Sequence, residues 1–138
     1  YGAHPVSCAA GISAVDIYRK ENLAERSVRQ GEYLRRHLKD LDNGIIGDVR
    51  GLGLLTGIEF VKNTETKEPF KMDEQVGKLV TSKAMDKGVK LFGGKGGEPE
   101  FMGDLLIVCP PLTVTEEQLD TIVGVIDDSI KDVKSSFI

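Results

Sequence analysis

Small apolar residues recur at helical spacing from Val6 to about Lys20, at Ala9, Ile12, Ala14, Val15 and Tyr18. Pro5 suits the first turn of that helix, where its missing N–H costs nothing. Asn22 then reads as the N-cap of a second helix, with Glu25 as its capping partner. Val28, Leu34, Leu38 and Leu41 follow on one face of it, and Arg26, Arg29, Arg35, Arg36 and Lys39 decorate the other. Gly44 is its expected C-terminal cap.

From Val49 to Val61 the pattern turns to strand, with three glycines that suggest bulges or close backbone approach. Residues 62–71 are polar and read as an exposed loop. A third helix is predicted from about Asp73 to Lys87, with Val76, Leu79, Val80 and Ala84 inward and Gly88 as its stop. Val89 to Phe92 reads as a short strand, and Gly93 to Pro99 as a loop. Leu105 to Cys109 is a continuous apolar strand halted by Pro110 and Pro111. Thr115 and Gln118 form a capping box for a last helix, whose stripe is Leu119, Ile122, Val123, Ile126, Ile130 and Val133.

This order predicts an α+β fold: a small antiparallel or mixed sheet of three to four strands with helices packed on one face, preceded by a long N-terminal helical segment. Residues 1–44 are the expected helical linker and residues 45–138 the small α+β domain. Composition adjusts this picture little. The 138 residues are one domain's worth of chain, 40% hydrophobic and 29% charged, as in an ordinary globular domain. A net charge of −4 argues against nucleic acid as a partner. No apolar run approaches the roughly 20 residues that span a bilayer, and the expected location is the cytoplasm. Cys8 and Cys109 form no CxxC, so neither a disulfide framework nor a metal site is signalled.

The glycine-rich stretches carry less chemistry than they suggest. In Gly51-Leu52-Gly53-Leu54-Leu55-Thr56-Gly57 the third glycine is one place too late for a dinucleotide fingerprint, and the chain continues as strand. Lys95 in Gly93-Gly94-Lys95-Gly96-Gly97 is followed by glycine instead of Ser or Thr, and Pro99 blocks a following helix, so no phosphate loop forms. Cys8 reads as a small core residue, and Arg50 as a solvated residue or an ion-pair partner. No complete catalytic constellation is present.

Four segments taken in order resemble the C-terminal part of class III, fold type I aminotransferases, which depend on pyridoxal 5'-phosphate. They are Tyr1-Gly2-Ala3-His4-Pro5-Val6-Ser7-Cys8-Ala9-Ala10, Val49-Arg50-Gly51-Leu52-Gly53-Leu54, Pro110-Pro111-Leu112-Thr113, and the capped helix opening Thr115-Glu116-Glu117. The resemblance implies the small C-terminal domain of a homodimeric transaminase that moves an amino group from an amine or amino acid to a keto acid. It places the Schiff-base lysine in a large domain upstream of Tyr1, so no catalytic residue is expected in this chain and the isolated chain is expected to be inactive. A threonine that reaches the partner subunit's cofactor phosphate precedes the Tyr-Gly-x-His-Pro segment in the family, which puts Tyr1 and Gly2 beside that contact.

In several family members an arginine four residues after the glycine at position 88 clamps a substrate carboxylate; this chain has Phe92 there. The resemblance thus makes Phe92 a substrate-facing residue, with Lys95 expected within reach of the same site. Either another group binds the carboxylate, or the amino donor carries none. A class III aminomutase or decarboxylating transaminase shares these segments. A stand-alone ferredoxin-like regulatory or interaction domain is the reading from a different class.

Overall fold

The computed structural model describes residues 2–41, 44–71, 73–96 and 103–137, with residues 95, 96 and 137 described by their backbone alone. In chain order the elements are α1 (Pro5–Lys20), α2 (Leu23–Lys39), β1 (Ile46–Leu52), β2 (Leu55–Asn63), β3 (Glu68–Pro69), α3 (Val76–Asp86), β4 (Phe92–Gly96), β5 (Gly103–Val108) and α4 (Glu116–Phe137). The strands form an antiparallel sheet in the order β1-β2-β5-β4, and β3 adds a short pairing to the far end of β2. The α+β architecture expected from the order of elements is the one observed.

Alternation divides the sheet into two faces. Thr56, Ile58 and Phe60 on β2, and Asp104, Leu106 and Val108 on β5, are buried, while the intervening residues are partly open. Against the buried face pack Leu34 and Leu38 of α2, Val76, Val80 and Ala84 of α3, and Leu119, Ile126 and Ile130 of α4. The last helix follows its sequence pattern closely. Thr115 N–H donates to Gln118 Oε1 at 3.0 Å and Gln118 N–H donates to Thr115 Oγ1 at 3.3 Å, which completes the predicted capping box.

The third helix is anchored differently. It begins at Val76, later than expected, and Gln75 before it is left-handed (φ 45°) with no side-chain cap. Its first amides turn instead to Asp104, which is only 4% exposed. Val76 N–H donates to Oδ2 at 3.2 Å and Gly77 N–H donates to Oδ1 at 3.3 Å. A carboxylate facing a helix N-terminus is favoured by the helix dipole as well as by the two hydrogen bonds. Backbone then meets backbone: a Cβ at Gly77 would lie 2.7 Å from Leu105 O, and one at Gly93 would lie 2.5 Å from Gly77 O.

That close seat explains the main correction to the sequence reading. The strand expected over Val89–Phe92 begins at Phe92, and the first four residues of the expected Gly93–Pro99 loop continue it to Gly96. Glycine there does not signal a turn. It is what lets β4 pair with β5 directly beneath α3. Residues 97–99 of the expected loop lie outside the described residues.

Smaller corrections share a local cause. Asn22 is left-handed (φ 49°) and makes no cap; its Nδ2 donates to Glu25 Oε2, so the pair buttresses the α1–α2 corner instead. The second helix stops at Lys39, capped by Asp40, five residues short of Gly44. The polar stretch 62–71 includes the two paired residues of β3. Cys8 is exposed, because α1 has no buried residue at all. Of the segment 1–44, then, α1 stands clear of the core and α2 is built into it. Among the described residues no helix is long and apolar enough to cross a membrane.

Asp104→Ala is expected to destabilise the chain by roughly 1–3 kcal/mol for each amide left without an acceptor. Gly77→Ala should cost a further ~1–3 kcal/mol by overpacking. Gly124→Ala on α4, where an added Cβ meets nothing within 4 Å, should be neutral or stabilising by up to about 1 kcal/mol. Urea midpoints of the three variants check the contrast.

Candidate functional site

The open face of the sheet carries its chemistry in two cross-strand rows. Arg50, Gly57, Ile107 and Phe92 form one row across β1, β2, β5 and β4. Asp48, Glu59, Leu105 and Gly94 form the next. No helix of the core lies on this face, and Phe92, at 61% exposure, is one of the most open large apolar residues outside α1. Beside it a cavity of about 430 Å³ runs between Gly88–Phe92, the end of β5, Pro110–Pro111 and the first turns of α4.

Arg50 is the one cation among these eight positions. Its Nη1 lies 2.7 Å from Asp48 Oδ2 and 2.8 Å from Glu59 Oε2. Both sequence alternatives for Arg50 are therefore realised together, since its side chain is 66% exposed and still paired. The hydrogen bond from Arg50 holds the Asp48 carboxyl below its usual range, and the bonds to Glu59 and then Asp48 hold the guanidinium above its own. Solvent screening limits what such a pair contributes.

Phe92 lies at the open face of the sheet. Lys95 is described by its backbone alone, as the Cα partner of Asp104 in the β4–β5 register. Tyr1 lies outside the described residues. Gly2 precedes α1 and is exposed. Asp104 escaped the sequence reading, although it shares the parity of Leu106 and Val108. An acid on the buried parity of an apolar strand was the available signal.

Among the described residues no group of acids, histidines and cysteines is arranged to hold a metal ion. Every lysine whose side chain is described is exposed or half-buried. The glycines around Lys95 pair as strand instead of opening a helix N-terminus. The described residues therefore do not fit a pyridoxal phosphate group by themselves: they offer neither a sequestered amine nor a phosphate cradle.

The class III aminotransferase family model matches residues 1–130. The uncharacterized aminotransferase YodT of Bacillus subtilis is 31% identical over 138 residues, 99% of this chain and 31% of that protein. Gamma aminobutyrate transaminase 2 of Solanum lycopersicum is 32% identical over 135 residues, 97% of this chain and 28% of that protein. The crystal structure of a transaminase from the marine bacterium Virgibacillus superposes with a TM-score of 0.91 at 31% identity, covering 98% of this chain and 30% of that one. The chain thus spans about a third of the length of the relatives it matches.

The pairing of Asp48 has a sign that can be checked. Because its carboxyl is held low, the stability it contributes is present above the ordinary aspartate range and lost as pH falls through the folded value. Arg50→Met should return the Asp48 titration, followed by carboxyl NMR, to the ordinary range. The same change should alter overall stability at neutral pH by less than about 1 kcal/mol.

Proposed function

The chain belongs to the class III aminotransferase family, and from that premise we propose that it is the C-terminal domain of a cytoplasmic, homodimeric, pyridoxal phosphate-dependent transaminase. The reaction moves an amino group from an amine or amino acid to a keto acid. The observation that carries the reading is the family match over residues 1–130 in a chain about one third as long as its relatives. The cofactor, held by the large upstream domain, supplies the electron sink.

The contribution of this chain is a wall. Phe92 presents an aromatic face where a clamping arginine stands in several relatives, so the substrate meets apolar surface there. Ile107 continues that surface in the same row, and the cavity beside Phe92 extends it. Helix α1, with Val6, Ile12, Val15, Ile17 and Tyr18 all exposed, is the segment that meets the large domain and the partner subunit. The family resemblance supports a place for Tyr1 and Gly2 beside the partner's cofactor phosphate. Lys95, three residues further along β4, is proposed to reach the same site as Phe92 as a point charge.

Two measurements test this reading. The 138-residue chain incubated with pyridoxal phosphate, an amine and pyruvate should show no turnover above background, whereas the full-length protein should turn over and show the yellow absorbance of its bound cofactor. Turnover by the short chain, or none by the full-length protein, overturns the reading. In the full-length protein, Phe92→Arg should raise the preference for an amino acid over its decarboxylated amine roughly tenfold, the worth of one charge-assisted pair. Lys95→Ala should lower that preference.

A further inference from the structure

Resting on the transaminase reading, we propose that Arg50 is the group that recognises the substrate carboxylate, reaching it along the open lane above Gly57. Arg50 and Phe92 stand at the two ends of one cross-strand row, three strand spacings or roughly 14 Å apart. Gly57 lies next to Arg50 in that row and leaves the way clear. A Cβ there would meet only the Arg50 carbonyl oxygen, at 3.9 Å. An extended arginine side chain crosses more than one strand spacing. Laid over Gly57, its guanidinium faces Ile107 and the ring of Phe92 across the remaining floor.

The resulting site has a cationic fork at one end and apolar surface at the other. That is the shape of a short carboxylate with an apolar body, the chemistry of a keto acid or an apolar amino acid. A guanidinium suits the task because its planar fork takes a carboxylate through two parallel hydrogen bonds.

Asp48 and Glu59 define the resting position. Both contact the same nitrogen, Nη1, and both pairs are open to solvent. Exposed pairs of this kind exchange at little cost. A substrate carboxylate therefore replaces partners of its own chemistry, and the two acids keep the guanidinium at the mouth of the lane when no substrate is present. Phe92 then does not remove carboxylate recognition from this face; it moves the cation to the opposite end of the row.

The test uses the full-length protein with pyruvate and acetaldehyde as paired acceptors, which differ by the carboxylate. Arg50→Met should raise KM for pyruvate at least tenfold and leave KM for acetaldehyde within twofold, and Arg50→Lys should recover part of the loss. Propionate, a carboxylate that cannot react, should raise the Tm of the wild type but not of Arg50→Met. An unchanged pyruvate KM, or equal losses for both acceptors, would overturn the assignment. If the wild type transfers no amino group at all while the propionate effect still depends on Arg50, the transaminase reading fails and the carboxylate site stands. A propionate effect that survives Arg50→Met removes the site.

Discussion

The N-terminus of α3 rests on a buried carboxylate, and the open face of this domain depends on that contact. Asp104 sits among apolar neighbours on β5 and accepts from the first two amides of α3. A buried acid without partners would be costly; here the two amides and the positive end of the helix dipole offset its desolvation. The same contact leaves no room for side chains at Gly77 and Gly93. Helix, carboxylate and glycine seat together fix β4 against β5, and with it the parity that turns Phe92 outward.

From that parity follows the division of labour between the two faces. The inner face is filled by α2, α3 and α4, with Leu34, Ile58, Leu106 and Ile130 at its centre. The outer face keeps polar and aromatic residues that no core element of this chain covers. The packed and the open face are thus separated by a period of two along the strands. A one-residue slip of β4 would bring Phe92 onto α3. The glycine seat guards against that slip, because only glycine fits under Gly77.

Much of the fold was legible in the sequence, because helix stripes and capping residues act locally. The stripe of α4 and its Thr115–Gln118 box needed no tertiary knowledge, and both formed as expected. What was not legible depended on contacts distant in sequence. Gly93 to Gly96 read as a loop because glycine is a poor strand former in isolation, and its strand state comes from β5 below and α3 above. Asn22 looked like a cap by type and spacing, yet its backbone took the left-handed turn that joins α1 to α2. Cys8 looked like a core residue because α1 is apolar, but what α1 packs against is not within the core of this chain. For the proposed site, the residue at position 92 was singled out through family resemblance. Its row-mate Arg50 became visible only once the strand register was known.

The most direct test of the central claim, that the outer sheet face is a wall of the substrate site, is a crystal structure of the full-length protein with a bound carboxylate substrate analogue. The account predicts the analogue's apolar part within about 4 Å of the Phe92 ring, its carboxylate on the Arg50 guanidinium, and Asp104 still capping α3. An analogue bound away from this face, or a face that remains in solvent in the complete protein, would contradict it.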